Sequence, residues 1–144
     1  MFFGSYVHTL DNKGRLVIPS KLRDEAGTRV YILKGFDGAL SIYKSSDFDK
    51  MVEEINTLPF NKRNSRAYLR VQLASTCELD VDKQGRVQLP SQLLEKYGIG
   101  KDVIVIGVGD HMEVWDKKTY EDYEKGVDKD FESIAEKIEK DEEE

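Results

Sequence analysis

The chain has 144 residues, of which 39% are hydrophobic and 35% are charged, so we expect a soluble protein with a modest core and a heavily charged exterior. The single cysteine, Cys77, excludes an intrachain disulfide and a metal site built from cysteines. No apolar run approaches the roughly 20 residues needed to cross a bilayer, and the first residues lack the features of a signal peptide, so we expect a cytoplasmic protein with no membrane partner.

Charge is distributed unevenly along the chain. The net charge is −6, but residues 121–144 contain 12 Asp and Glu against 4 Lys, a net of −8, which leaves +2 for residues 1–120. The charge of a whole chain is a poor guide to its partners when one end differs from the rest. The mildly basic body therefore leaves a nucleic-acid partner open.

The N-terminal part begins with a strand, a turn and a second strand. "YVHTL" (6–10) predicts the first strand and "RLVI" (15–18) predicts the second. Asp11 in first position and Gly14 in fourth position fit a type I turn that ends in a left-handed glycine. The pattern therefore predicts a tight hairpin over these residues.

A short helix and another hairpin follow. Pro19 ends the second strand, because proline has no N–H to donate. Ser20 is a good helix N-cap, and Gly27 favours the end of the helix after one or two turns. The segment at 29–43 then predicts a second hairpin.

The linker is predicted to be helical. The segment from Ser46 places apolar residues on one face, and Pro59 ends that helix. Residues 61–75 predict a second helix. It carries a cluster of cations, which are Lys62, Arg63, Arg66 and Arg70. The three arginines share one helical face, and they either line DNA or pair with acidic groups of a neighbouring subunit.

The pattern of the first 47 residues then returns. Six residue pairs match at one offset, 71 residues: Asp11 and Asp82, Gly14 and Gly85, Arg15 and Arg86, Pro19 and Pro90, Ser20 and Ser91, and Leu22 and Leu93. The match continues through Gly98, and a hairpin at 102–116 corresponds to the one at 29–43. The turn at 107–110, "GVGD", is a hairpin turn and not a phosphate loop, because no lysine follows at the required distance.

The C-terminal region predicts a charged helix with a narrow apolar seam. The seam residues are Tyr120, Tyr123, Val127, Phe131, Ile134 and Ile138. This pattern is typical of a helix that docks onto a partner surface, which is either its own barrel or the next subunit. Gly126 weakens the helix, and "KDEEE" (140–144) is predicted to be frayed or disordered.

The duplication predicts how the chain is organised. One unit of four short strands and a stub of helix can hardly bury enough apolar surface to be stable alone. Two units packed together could close a small barrel without exposed edges. We therefore expect repeats at 5–47 and 76–119, a helical linker at 48–75, and an acidic helix and tail at 120–144.

The doubled pattern D-x-x-G-R-x-x-x-P-S-x-L resembles the SpoVT/AbrB family of swapped-hairpin barrels. Two such units joined by an arginine-rich linker, over residues 1 to about 120, are similar to the MraZ family of bacterial transcriptional regulators. The resemblance implies an α+β fold: a pseudo-symmetric double-psi or swapped-hairpin AbrB-type β-barrel of two tandem repeats, with linker and C-terminal helices.

The resemblance also implies a function. It implies a ring-like homo-oligomer that binds double-stranded DNA at direct repeats upstream of its own operon, in the division and cell-wall gene cluster. It implies a location in the cytoplasm on the nucleoid. The family's D-x-x-x-R signature maps onto Asp11 with Arg15 and onto Asp82 with Arg86.

The candidate DNA-binding residues lie on or near the two turns. They are Arg15, Arg86, Lys13, Lys83, Lys21 and Arg23. A guanidinium can fork onto guanine O6 and N7 or bind a phosphate, and lysines supply nonspecific affinity. The alternative for each arginine is an internal salt bridge to its aspartate, and both can hold together. A structural role is expected for Asp11, Gly14, Asp82, Gly85, Pro19 and Pro90.

Other functional classes have weaker support. No set of nucleophile, base and orienting residue stands out, so we expect no enzyme and no cofactor. His8 and His111 have no second ligand at metal-binding spacing, so no metal site is expected. Two alternatives to a DNA-binding regulator stay open, an antitoxin with an AbrB-type fold and an assembly protein that acts without DNA.

Overall fold

The computed structural model describes residues 1–143, with side chains described through Glu139, and Glu144 lies outside the described residues. The described part is a mixed α+β fold of eight strands and six helices. The strands are β1 (Ser5–Thr9), β2 (Arg15–Val17), β3 (Arg29–Lys34), β4 (Leu40–Lys44), β5 (Cys77–Asp80), β6 (Arg86–Gln88), β7 (Asp102–Gly107) and β8 (Met112–Asp116). The helices are α1 (Ser20–Ala26), α2 (Ser45–Ile55), α3 (Arg63–Ala74), α4 (Ser91–Lys96), α5 (Lys117–Lys129) and α6 (Phe131–Glu143).

The strands form two antiparallel sheets that mix the two repeats. The larger sheet has the order β1-β7-β8-β4-β3-β5, and the smaller one pairs β2 with β6. The hairpins β3–β4 and β7–β8 form as predicted and meet at the β4–β8 pair. A pseudo-two-fold axis therefore passes between β4 and β8 in one sheet and between β2 and β6 in the other.

The hairpin predicted for the first two strands of each repeat is wrong. β1 pairs with β7 of the second repeat, and β5 pairs with β3 of the first. Only the turn itself stays local: the Asp11 N–H donates to the Arg15 carbonyl at 3.2 Å. Each repeat thus uses the other as its pairing partner, because the longer strands of the second hairpin offer more hydrogen bonds than a three-residue return strand.

One core lies between the two sheets and the short helices. Its residues come from both repeats: Phe2, Leu10, Leu16, Ile18, Leu22, Ala26, Val30, Ile32, Leu40, Ile42, Val87, Leu89, Leu93, Leu94, Ile99, Val103, Val105, Met112 and Val114. In the small sheet Leu16 lies opposite Val87, and both point into this core. Neither repeat could bury these side chains without the other.

The short helices begin one residue earlier than predicted. Pro19 and Pro90 are the residues before α1 and α4, so Ser20 and Ser91 lie inside the helices and make no capping hydrogen bond. The Leu22 N–H donates to the Pro19 carbonyl at 2.8 Å, so the hydrogen bonding of the first helical turn begins at the proline. As predicted, a glycine with positive φ follows each of these helices: Gly27 with φ 75° directly after α1, and Gly98 with φ 68° after Tyr97, the C-cap residue of α4.

The linker helices pack on the larger sheet. The apolar face predicted for α2 is confirmed, since Phe48 stacks on Tyr31 with ring centroids 4.2 Å apart and Ile55 is buried. α3 is anchored where Gln72 donates its side-chain N–H to the Lys34 carbonyl at 2.8 Å. Leu69 is the buried residue of α3.

The predicted C-terminal helix is two helices. α5 starts at a cap, where the Asp116 carboxylate accepts from the Thr119 N–H. It packs through Tyr120 and Tyr123 against Trp115. The break comes after Lys129 at Asp130, while Gly126 stays inside α5.

Beyond that break, the structure does not support the first of the two alternatives given for the seam, which is docking on its own barrel. α6 contacts α5, and its residues Phe131, Ile134 and Ile138 are exposed. Residues 140–144 were predicted to be frayed or disordered, but the helix continues to Glu143. Glu144 lies outside the described part. No helix within residues 1–143 is both long enough and apolar enough to span a membrane.

Candidate nucleic-acid interface

The first turn is built around the side chain of Asp11. Its Oδ1 accepts hydrogen bonds from the backbone N–H groups of Lys13 at 2.9 Å and Arg15 at 2.8 Å. Its Oδ2 accepts from Arg15 Nε at 2.6 Å. Gly14 closes the turn with φ 76°, in the region that favours glycine. The predicted turn geometry is confirmed, and one carboxylate fixes both the loop and its arginine.

The second turn repeats this arrangement. Asp82 Oδ1 accepts from the N–H groups of Gln84 and Arg86, each at 2.9 Å, and Oδ2 accepts from Arg86 Nε at 2.8 Å. Gly85 also has φ 76°. The D-x-x-G-R pattern therefore encodes one rigid loop conformation, because the aspartate satisfies the N–H groups that the turn leaves unpaired.

Both carboxylates are held in the ionised form. The hydrogen bond from the Arg15 backbone N–H, followed by those from its guanidinium and from Lys13, lowers the pKa of Asp11 below its usual range. The pKa of Asp82 is lowered in the same way by Arg86 and Gln84. At neutral pH each turn thus keeps an ionised carboxylate in contact with the Nε of its arginine.

The internal salt bridge with Asp11 leaves the terminal amino groups of Arg15 available for another contact. Asp11 binds Arg15 through Nε, and the terminal Nη1 and Nη2 groups have no hydrogen-bond partner among the residues with described side chains. A guanidinium forks onto a guanine or a phosphate through such donors. The Arg15 side chain is 29% exposed and that of Arg86 28%, since each lies against its own turn.

The two turns sit at opposite ends of the β2–β6 ribbon. Each is fixed to the strand end of the other repeat: the Ile18 N–H donates to the Gly85 carbonyl at 2.8 Å, and the Leu89 N–H donates to the Gly14 carbonyl at 3.2 Å. The pseudo-two-fold axis therefore relates the two arginines across the ribbon. Pro19 and Pro90, as predicted, mark where the ribbon strands end and the short helices begin.

The lysines predicted at the interface are free side chains. Lys13, Lys83 and Lys21 are exposed, and none forms an ion pair among the residues described. Lys13 and Lys83 lie on the turns themselves, and Lys21 lies in the first turn of α1. These positions suit contacts with phosphate groups, which need charge but little geometry.

Arg23 has a different position from the other predicted cations. It is half-buried and donates from Nε and Nη2 to the Ile18 carbonyl at 3.3 and 3.0 Å. Its guanidinium lies against Gly85, so it supports the second turn from the first repeat. Leu94 is the equivalent residue of the second repeat and lies 3.7 Å from the space beside Gly14. The 71-residue offset pairs Arg23 with Leu94, so the sequence itself contains this difference.

Two glutamines contribute to the turns without any sequence signal. Gln88 donates its side-chain N–H to the Lys13 carbonyl, which ties the first turn to β6. Gln84 accepts a hydrogen bond from Arg86 Nη2 at 3.2 Å. Both occupy variable positions of the repeated motif. Gln88 binds a residue 75 positions away in the sequence, and the contact of Gln84 occurs in the second turn alone among the described side chains. No group of three potential metal-binding side chains occurs in the described part of the chain.

Comparison with known proteins agrees with this arrangement. A family model described as "MraZ protein, putative antitoxin-like" matches residues 1–71 and 73–141. The chain belongs to the MraZ family. The resemblance to the MraZ family is therefore confirmed, and the match extends past residue 120 into the acidic tail.

Several MraZ relatives align over nearly the whole chain, and each is named "Transcriptional regulator MraZ". The protein of Caldanaerobacter subterraneus subsp. tengcongensis is 44% identical over 138 residues, which cover 96% of both chains. That of Thermoanaerobacter sp. (strain X514) is 41% identical with the same coverage. That of Clostridium beijerinckii is 40% identical over 139 residues, again 96% of each chain.

Proposed function

We propose that this protein is a transcriptional regulator that binds double-stranded DNA through its two D-x-x-x-R turns. The name of its relatives supports the regulatory role. One structural observation carries the DNA-binding role: Asp11 holds Arg15 through Nε and leaves both terminal amino groups unpaired among the described side chains. A prearranged guanidinium loses little rotamer freedom when it binds.

The exposed lysines supply the electrostatic part of binding. Lys13, Lys83 and Lys21 contact phosphates, while Arg15 and Arg86 read base edges or fork onto phosphates. Arg23 supports the second turn and adds positive charge beside it. No part of this role is enzymatic, in keeping with the name of the relatives.

The finer features of the function are also proposals. The protein forms a ring-like homo-oligomer in the cytoplasm, associates with the nucleoid, and binds direct repeats upstream of its own operon in the division and cell-wall gene cluster. Direct repeats suit a ring whose neighbouring subunits present equivalent turns in succession. Linked contacts of this kind raise the overall affinity above that of a single turn.

The fold assignment and domain division are proposed on the same basis. The exchange of β1 and β5 between the repeats supports a swapped-hairpin barrel of the SpoVT/AbrB type. We retain repeats at 5–47 and 76–119, a linker at 48–75 and a tail at 120–144 as sequence units. They build a single core, so neither repeat is expected to fold alone.

A mobility-shift assay with DNA from upstream of the protein's own gene tests the proposal. The wild type should retard this DNA, and its affinity should fall steeply with salt. The double variant Arg15→Ala/Arg86→Ala should lose the specific complex and keep its circular dichroism spectrum. Lys50→Ala, which removes one exposed cation from α2, is the matched control and should bind normally.

Two outcomes of the same assay would contradict the proposal, and one alternative lies outside it. An assembly protein that acts without DNA would not retard the fragment at any salt concentration. An antitoxin, the role suggested by the words "antitoxin-like" in the family description, would need a toxin to act on. Retardation that is unchanged in the double arginine variant would show that the turns are not the DNA-binding site.

A further inference from the structure

An apolar row on the C-terminal helix has no packing partner among the residues that the structure describes. Phe131, Ile134 and Ile138 are spaced three and four residues apart, so they share one face of α6, here called the tail face. Phe131 is 69% exposed and Ile138 is 55% exposed. The tail face continues the seam that α5 buries on Trp115, but α6 itself contacts only α5 to any extent. A row of this kind marks an interaction surface.

A second apolar surface lies between the linker helices. An open groove of about 380 Å³ is lined by Asn56, Phe60, Leu69, Arg70, Leu73 and Ala74, and is here called the linker groove. Leu69 is buried at its base, whereas Phe60 is 60% exposed and Leu73 is 41% exposed. The Arg70 guanidinium lies over the Phe60 ring at 5.9 Å. The groove is therefore apolar inside and cationic at its rim.

The two surfaces have opposite charge. Residues 56–76 contain four Lys and Arg and no Asp or Glu, whereas residues 120–139 contain eight Asp and Glu against three Lys, a net of −5. None of the linker cations forms an ion pair among the described side chains. Among the described tail acids, Glu121 forms one, with Lys117 at 4.0 Å. Both sets of charges are thus left for an external partner.

The strand order separates these surfaces within one chain. α5 packs on β7 and β8, whereas α3 packs on β3, and β4 lies between β8 and β3. The tail face and linker groove of one chain are therefore on different parts of the molecule. The partner that carries both a matching acidic apolar helix and a matching basic apolar groove is a second copy of this chain.

We propose that the tail face of each subunit docks into the linker groove of the next, with the acidic residues of α5 and α6 facing the cations of α3. The contact joins two different patches, so it is head-to-tail and repeats from subunit to subunit until the assembly closes. It gives the ring of the proposed function a defined interface, and it does not depend on DNA binding.

Complementary variants test this contact in the absence of DNA. Phe131→Ser/Ile138→Ser removes the tail face, and Arg70→Glu/Leu73→Glu places negative charge in the linker groove. All four side chains are exposed, so the folds should survive, as checked by circular dichroism. Each variant alone should sediment as a small species at concentrations where the wild type is assembled, with association weakened at least tenfold.

Mixing the two variants gives the decisive measurement. The tail-face variant keeps an intact groove, and the groove variant keeps an intact tail, so an equimolar mixture should form a 1:1 heterodimer and stop there. Phe3→Ser, which removes an equally exposed phenylalanine outside both surfaces, should assemble like the wild type. The proposal fails if either variant keeps the full-size oligomer, or if the mixture stays as separate monomers.

Discussion

The turn at residues 11–15 and the turn at residues 82–86 share a backbone but differ in their surroundings. In both, an aspartate accepts two backbone N–H bonds and one from the arginine Nε, and the glycine has φ 76°. Around the first turn the neighbouring side chain is Leu94, while around the second it is Arg23. A duplicated loop has thus kept its geometry while its neighbours have diverged.

This divergence changes what each arginine can do. Arg86 donates from Nη2 to Gln84, whereas the terminal groups of Arg15 have no such partner among the described side chains. The residue equivalent to Gln84 in the first turn is Lys13, a cation in place of an acceptor. We infer that the first turn is the stronger DNA contact and that the second is more tightly braced.

The largest expected effect separates the two arginines. Arg15→Ala should lower affinity for upstream DNA roughly 10- to 100-fold, because a bidentate contact is worth roughly 1–3 kcal/mol. The loss of affinity in Arg86→Ala should lie at the low end of that range. Fluorescence anisotropy at one fixed salt concentration measures both. Arg15→Lys keeps the charge but cannot fork, so it should resemble Arg15→Ala. Equal losses for the two alanine variants would remove the distinction between the turns.

The sequence predicted the turns well because their structure is local. Asp11, Gly14 and Arg15 are close enough in the chain for the motif alone to fix their hydrogen bonds. Strand pairing was predicted wrongly, because β1 could pair either with the neighbouring three-residue strand β2 or with the longer strand β7 of the other repeat, and it pairs with β7. That choice depends on the whole core, which no local pattern contains.

The site residues show the same limit. Arg23 carries the same charge as Lys21, but only the fold shows that it binds the Ile18 carbonyl and supports the second turn. The tail seam was recognised from its spacing, yet the break at Asp130 divides it into a packed part and an exposed part. In both cases the packing around a residue, and not its type, decides its role.

The next effect concerns the turn glycines. Gly14→Ala and Gly85→Ala each force a side chain into the left-handed region, which costs about 1–2 kcal/mol. Gly85→Ala should cost more, because its Cβ would overlap the Arg23 guanidinium, whereas the nearest atoms to a Cβ at Gly14 are 3.7 Å away. Urea unfolding measures the difference. In an Arg23→Leu background the two costs should become equal, and a difference that persists there would have another cause.

Acidification should weaken both turns in the same direction. Because the pKa of Asp11 and of Asp82 is lowered in the folded state, each contributes stability above the unfolded value near 4. That contribution is lost as pH falls through the folded value.

Asp11→Asn/Asp82→Asn should therefore be less stable than the wild type at pH 7, and the gap in urea midpoint should shrink towards pH 2. Asp24→Asn, on the exposed part of α1, is the control and should show no such gap. A gap that is constant with pH would mean that the carboxylates do not hold the turns through their charge.

The smallest effect is a gain, and it tests whether the second turn can be made like the first. Gln84→Lys copies the residue found at Lys13, so it releases Arg86 Nη2 and adds one cation beside the DNA. Affinity should rise a few-fold, and the log–log salt slope should steepen by about 0.9 for one added phosphate contact on each engaged turn. Gln84→Ala releases Arg86 without adding charge, so it should raise affinity less and leave the slope unchanged. If Gln84→Lys steepens the slope while Gln84→Ala has no effect, the glutamine does not restrain Arg86, and the two turns differ only in charge.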